Sequence, residues 1–367
     1  MSQFDAVFKY PGQLIAAVPA LLGFVPERSM IVMMVGHAPD QRYQIRFATR
    51  LDLSPAAWHA LARERLVCVV RNSDAVAALV VIVDDRTSQS AAASAPAGTG
   101  HRMLIEALRR DLNSCGVELA GAWALRSFGE AAQWWNIESP HSRGLVPDPF
   151  ASPLAAAQAY AGRTLRSSRA ALNDVVTIDE AMREEVARHL PAAIADAQRR
   201  LVRAIQIDNP DAHTRMALCQ VMAVITRARE RDSIAAPTIA EVAVALRDHT
   251  VRDIMFGVAG GVHEPAAEHL WAVLTRALPD PDRAEAATLL AFHAYRRGDG
   301  VLAGVALEQA LASDREHRMA RLLDAALQNG LAPARLQRIV NSGIEAASDL
   351  RVDIGCGAAT SGVEVVR

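Results

Sequence analysis

Ala75–Val83, AVAALVVIV, is an unbroken run of nine apolar residues, and its reading decides the fold of the first half of the chain. A strand with one wet face alternates apolar and polar residues, whereas a run that is apolar throughout suits a strand covered on both faces of a sheet. Met30–Val35, MIVMMV, reads the same way. Between these runs Tyr43, Ile45, Phe47, Thr49 and Leu51 alternate with Gln44, Arg46, Ala48 and Arg50, the pattern of a strand with one solvated face. The connection GHAPDQR is short, so the first two strands are expected to run antiparallel. Ser54 and Pro55 are suited to open a helix through Trp58, Leu61 and Leu66 that returns the chain to Ala75. A second helix over His101–Cys115, strands over Gly116–Leu125 and strands around Trp134 and Trp135 complete an α/β fold: a mixed sheet with flanking helices. The Ser/Ala-rich segment Thr87–Gly98 reads as a mobile loop.

Working outward, the stretch PHSRGLVPDPFASP, Pro140–Pro153, holds neither a helix nor a central strand and marks the expected domain boundary. Residues 1–149 are assigned to the α/β domain, 150–350 to an all-α domain of about ten helices, and 351–367 to a loose tail. Proline follows Ser152, Asn209, Asp280 and Ala332 in the manner of first helical positions. Thr177 with Glu180, Thr238 with Glu241 and Ser313 with Glu316 have capping-box spacing. Leu270, Trp271, Leu274 and Leu278 recur on one helical stripe. AYRRGDGVLAGVALEQALASD, Ala294–Asp314, resembles a single tetratricopeptide hairpin, with Arg315 where that repeat has proline. A stacked peptide groove needs about three such units, so helix-pair packing is the reading preferred.

The 367 residues are 51% hydrophobic and carry a formal charge of −2, which supplies core material but no general attraction for nucleic acid. Cys68, Cys115, Cys219 and Cys356 are widely spaced, without the pairing of a zinc ribbon or a disulfide framework. Leu14–Val25 is read as a helix rather than a leader, because Asp5 precedes it and Pro19 interrupts it. No apolar run in the middle of the chain approaches the roughly 20 residues of a membrane-crossing helix, so no membrane partner is expected. Lys9 is the sole lysine and sits in no catalytic context, which excludes phosphate-loop, kinase and pyridoxal chemistry. Arginine binds phosphate or carboxylate through its planar fork, so anion positioning passes this filter.

Three groups of residues remain as candidates. Asp84 and Asp85 close the buried strand, where ligands gather in open α/β sheets; two acids could hold magnesium or simply end the strand in solvent. Arg166, Ser168 and Arg169 in GRTLRSSRAAL could offer guanidinium forks and helix-capping amides to an anion, or form a solvated helix face. Glu27, Arg28 and Ser29 follow the turn at Gly23 and Pro26, as a polar binding cluster or as a turn satisfying its own amides. Two other motifs fail on spacing. The histidines of HEPAAEH, His263 and His269, are six residues apart and fall on different faces of a helix. The glycine pair before His101 has Met103 where a dinucleotide loop has its third glycine.

YPGQLIAAVPALLGFVPERSMIV from Tyr10, GRTLRSSRAAL from Gly162 and GDGVLAGVALEQAL from Gly298 together resemble the actinobacterial family catalogued as domain of unknown function 4192. GEAAQWWN, Gly129–Asn136, is similar to a tryptophan-rich strand of that family, often followed there by cysteines; here ESPHSRG follows. The resemblance implies a cytoplasmic location and supplies no activity. With no complete catalytic, metal or cofactor constellation in view, the leading expectation is a non-catalytic interaction protein or regulatory adaptor, binding a partner protein or a second copy of itself. The alternatives are an enzyme handling a nucleotide or phosphate through Asp84, Asp85 and an arginine, and a nucleic-acid binder using clustered arginines, which the overall charge disfavours.

Overall fold

A computed structural model describes residues 11–37, 43–53, 60–71, 74–87, 96–129, 131–160, 165–166, 169–209, 211–227 and 233–356. The chain divides into two compact units. The first comprises residues 1–174 with 298–301 and 325–332, and the second comprises 175–297, 302–324 and 333–367. The proline-rich stretch around Pro147 lies within the first unit, where it carries the last strand of the sheet.

The first unit is built on six strands: β1 (Ser29–His37), β2 (Tyr43–Asp52), β3 (Ala75–Val83), β4 (Glu118–Leu125), β5 (Gln133–Asn136) and β6 (Arg143–Leu145). Their order across the sheet is β2-β1-β3-β4-β5-β6, with β3 and β4 parallel and every other neighbouring pair antiparallel. The mixed sheet and the antiparallel first hairpin are as the sequence predicts. β1 and β3 are buried almost throughout, as continuous apolar runs require, while β2 is half-exposed, as its alternation requires. Helices α2 (Ala60–Arg71) and α3 (Pro96–Asn113) link β2 to β3 and β3 to β4. They bring Leu66, Val70, Ile105, Leu108 and Leu112 onto the sheet face formed by Met30, Val32, Met34, Val80 and Ile82. Helix α1 (Pro11–Leu22) runs against β6, so closely that a Cβ on Gly12 would lie 2.5 Å from the Leu145 carbonyl oxygen. Short helices α4 (Pro153–Tyr160) and α5 (Arg169–Asn173) follow; Ser152 Oγ caps α4 by accepting from the Ala155 amide at 3.2 Å.

The second unit is helical among its described residues: α6 (Glu180–Gln206), α7 (Asp211–Arg227), α8 (Ala236–Leu246), α9 (His249–Gly257), α10 (Glu264–Ala277), α11 (Asp282–Arg296), most of α12 (Gly300–Ser313) and of α13 (Arg318–Gln328), and α14 (Gln337–Asp349). Its core is the predicted stripe of α10, with Leu270, Trp271 and Leu274 fully buried beside Phe256 and Phe292, whose rings meet edge-on at 4.8 Å. Helices α9 and α14 cross where both lack a side chain: a Cβ on Gly343 would fall 2.6 Å from the Gly257 nitrogen.

Three local expectations are corrected. Asp179, not Thr177, caps α6 by accepting from the Met182 amide at 3.1 Å. Thr238 lies inside α8, whose N-cap is Ala235. His317, not Ser313, precedes α13, and its Nδ1 accepts from the Ala320 amide at 3.2 Å. The capping-box pattern finds helix starts but not the capping residue, because any acceptor that reaches the third amide serves. Residues 352–356 of the expected loose tail are packed: Ile354 is buried and the Cys356 thiol donates to the Gly257 carbonyl at 3.0 Å. No helix among the described residues is long and apolar enough to cross a membrane.

Candidate functional site

Strand register assembles the site. Ser29 pairs with Asp52 on one side and with Val83 on the other, and Val83 pairs with Leu125. Asp52, Ser29, Val83 and Leu125 therefore form one row at the end of the sheet where β3 and β4 finish. The residues one step beyond that row are Leu53, Arg28, Asp84 and Arg126. Two sets of candidates far apart in the chain, Glu27–Ser29 and Asp84–Asp85, are thus brought together at the carboxyl edge of the parallel pair, where α/β sheets bind ligands.

The contacts are specific. Arg28 grips Asp85 with both arms of its fork, Nε donating to Oδ1 at 2.8 Å and Nη2 to Oδ2 at 2.9 Å. Arg86 donates through Nε to Asp84 Oδ1 at 2.7 Å and through Nη2 to the Leu53 carbonyl at 3.0 Å. His101, in the second turn of α3, places Nε2 3.1 Å from Asp84 Oδ2. Arg126 donates to the Asp85 backbone carbonyl at 3.0 Å. Arg50 donates to Ser29 Oγ at 2.7 Å and pairs with Asp52, and Ser29 Oγ donates in turn to the Glu27 carbonyl. Asp84, Ser29 and Thr87 are buried beneath, whereas Arg28 and Asp85 are more than half exposed.

Electrostatics follow from these partners. Burial pushes the Asp84 carboxyl up, but hydrogen bonds from Arg86 and His101 outweigh it and hold the group below the ordinary carboxylate range. The Arg28 fork lowers Asp85 likewise, and Asp85 raises Arg28. Both acids are ionised partners of guanidinium groups, with every carboxylate oxygen engaged. A divalent cation would have to displace those arginines, so the donor set does not fit magnesium. Among the described residues, no three His, Cys, Asp or Glu side chains converge as metal ligands.

Arg28 has φ of 43°, a left-handed backbone that is unfavourable for a residue with a side chain. Its carbonyl accepts from the Leu53 amide at 2.8 Å, so the turn is held from both strands. Strain of this kind collects where a side chain must be aimed.

The third candidate set lies elsewhere in the unit. Arg166 forms an isolated parallel bridge with Phe24, donating its amide to the Gly23 carbonyl at 2.9 Å, while Ser168 and the Arg169 side chain fall outside the described residues. Reading the sequence missed Arg50, Arg86, His101 and Arg126. A usable signal existed for two of them, since Arg86 follows the acidic pair directly and Arg126 directly follows the apolar end of β4. His101 and Arg50 are placed by register and helix docking, which no local pattern carries.

The second unit encloses several polar groups. Glu264 of HEPAAEH, the first-turn acid of α10, faces Arg296 at 3.6 Å, and Glu268 one turn further on pairs with Arg297 at the end of α11. Arg283 is buried and donates to the carbonyls of Thr275 and Val176 and to Gln309. His293 is fully buried, with Trp271 Nε1 donating to its Nε2 at 3.3 Å; burial pushes its pKa down to about 4.

Fold and site together define a two-unit protein, a mixed α/β sheet with an arginine- and aspartate-rich carboxyl edge followed by a helical unit. The family model described as "Domain of unknown function (DUF4192)" matches residues 11–334, and the chain belongs to that family. No curated protein and no solved structure matches it.

Proposed function

We propose that the first unit binds a small anionic ligand, a phosphate or carboxylate compound, at the carboxyl edge of β3 and β4. The observation that supports this reading is the placement of one arginine at the edge. Four guanidinium groups, Arg28, Arg50, Arg86 and Arg126, stand there with the carboxylates of Glu27, Asp52, Asp84 and Asp85, and three of the four are engaged by an aspartate. Arg126 is the member bound to a backbone carbonyl rather than to a carboxylate. A guanidinium so placed offers its remaining donors to an anion. The phosphate-handling alternative from the sequence keeps its place but changes its actors, with arginines binding and the aspartates holding them.

Thermal unfolding with inorganic phosphate, a nucleoside triphosphate and citrate tests the reading. A ligand at about 100 times its Kd adds about 2.7 kcal/mol, and that stabilisation is expected to vanish in Arg126→Ala and to fade as salt rises. Failure of all three anions to shift the wild-type protein would overturn the assignment.

A second reading, contact with another protein, is favoured by the end of α6, where Leu201, Val202, Ile205 and Ile207 are exposed, together with Met216 of α7. The tetratricopeptide-like character of α11 and α12 belongs to this reading and is supported by the left-handed turn at Gly298, φ of 88°. A cytoplasmic setting belongs here too, in keeping with four cysteines that form no disulfide.

A further inference from the structure

We infer that Asp85 is a built-in competitor for the anion site: its carboxylate occupies the Arg28 fork in the free protein, and the phosphate group of a ligand binds by taking its place. The proposal rests on the anion-binding reading above and narrows the ligand class to phosphates over simple carboxylates.

The two neighbouring aspartates are held in different ways. Asp84 is buried, and both of its oxygens are engaged, Oδ1 by Arg86 Nε at 2.7 Å and the Arg86 amide at 3.2 Å, Oδ2 by Arg86 Nη2 and His101 Nε2, each at 3.1 Å. It cannot leave without stranding a buried charge. The Asp85 side chain is 51% exposed, and among the described residues the Arg28 fork is the one side chain that donates to its carboxylate. Its main chain is fixed separately, because the Asp85 carbonyl accepts from Arg126 Nη2 at 3.0 Å. The carboxylate can therefore turn into water without moving the backbone, and an exposed ion pair costs little to open.

Arg28 is anchored at its base instead. Its left-handed backbone, φ of 43°, is held by the Leu53 amide donating to the Arg28 carbonyl at 2.8 Å. When the pair opens, the aspartate swings away and the fork stays. Arg28 and Arg126 hold the same residue, one its carboxylate and the other its carbonyl, so the vacated fork and the remaining donors of Arg126 stand around one position. Asp85 is tethered beside the fork at an effective concentration of about millimolar or higher, and a free monocarboxylate, with the same acceptor geometry and the same charge, displaces it poorly. A phosphate group presents the same pair of oxygens to the fork, carries up to about two negative charges and keeps a third terminal oxygen for Arg126.

Calorimetric titration of the full chain with inorganic phosphate and with acetate reads the exchange. Asp85→Asn is expected to tighten phosphate by about two- to fivefold, the worth of an exposed ion pair. Glu27→Gln removes the same charge from the neighbouring turn without opening the fork, and is expected to tighten it by less than about twofold. Arg28→Gly keeps the left-handed turn free of strain and is expected to weaken phosphate by more than about fivefold. Acetate is expected to bind the wild type at least about tenfold more weakly than phosphate does, and to gain on Asp85→Asn. Circular dichroism verifies that each variant is folded. If Asp85→Asn binds phosphate no tighter than the wild type, or Glu27→Gln tightens it equally, the exchange falls, while the anion site stands as long as Arg126→Ala abolishes binding. Acetate matching phosphate on the wild type overturns the ligand class. Absence of binding by phosphate, the nucleoside triphosphate and citrate alike removes the anion site itself, and the exchange with it.

Discussion

The sheet edge of the first unit and the interior of the second treat arginine and histidine differently. At the sheet edge of the first, arginine meets aspartate at the surface, with Arg28 and Asp85 both more than half exposed. In the second, Arg283 is enclosed and donates to two carbonyls and a side-chain amide, and the enclosed His293 accepts at Nε2 from an indole, rather than either meeting a carboxylate. A surface ion pair is worth little to stability and exchanges readily for another anion, whereas a buried polar group is held by neighbours that cannot leave without an unpaired atom behind. The edge is therefore the place for reversible binding and the helical interior the place where polar groups fix the packing.

The sharpest way to break this contrast is at Trp271, which is fully buried and donates to His293. Trp271→Ala is expected to destabilise the protein by about 3–5 kcal/mol in urea unfolding; a loss within the range of a surface substitution would mean the second unit is not organised around this ring. Acid gives the next largest effect. Because the folded protein holds His293 near pKa 4 while the unfolded chain takes up a proton near its ordinary value of 6.5, the unfolded state binds more protons between those limits. Stability from this group is whole above pH 6.5 and declines as pH falls toward 4, by roughly 2 kcal/mol between pH 6.5 and 5. His293→Gln is expected to flatten that slope, measured as unfolding free energy at pH 7.5 and 5. Equal slopes in both proteins would show that His293 is not the group responsible.

The smallest effect tests the edge. Arg28→Gly and Arg28→Ala both remove the fork on Asp85, but only glycine relaxes the left-handed backbone. The glycine variant is expected to melt a few degrees above the alanine variant, and equal melting temperatures would remove strain from the account of this turn.

Much of the sheet was legible because burial leaves a local trace. The runs at Met30 and Ala75 announce β1 and β3, and the alternation from Tyr43 announces β2. The site was legible only as fragments. Arg28 and Asp85 were each singled out, yet they lie 57 positions apart, and what joins them is the pairing of Ser29 with Val83, a long-range register with no local signature. The caps slipped for a related reason, since Asp179 and His317 serve as well as Thr177 and Ser313 wherever the chain brings them to a free amide. The segment from Val352 looks featureless in sequence because its anchors, the buried Ile354 and the Cys356 thiol on the Gly257 carbonyl, follow no periodic pattern.

The register of β1 also separates what can vary from what cannot. His37 faces Tyr43 at one end of the β1–β2 ladder and Ser29 faces Asp52 at the other, with the irregularity at Met34 and Val35 in between. Insertions or fused tags placed in the connection after His37 enter at the pole of the sheet opposite the arginine edge, and the bulge can absorb a change of length before it reaches Ser29. That hairpin is thus a natural grafting point for reporters meant to leave the edge in working order.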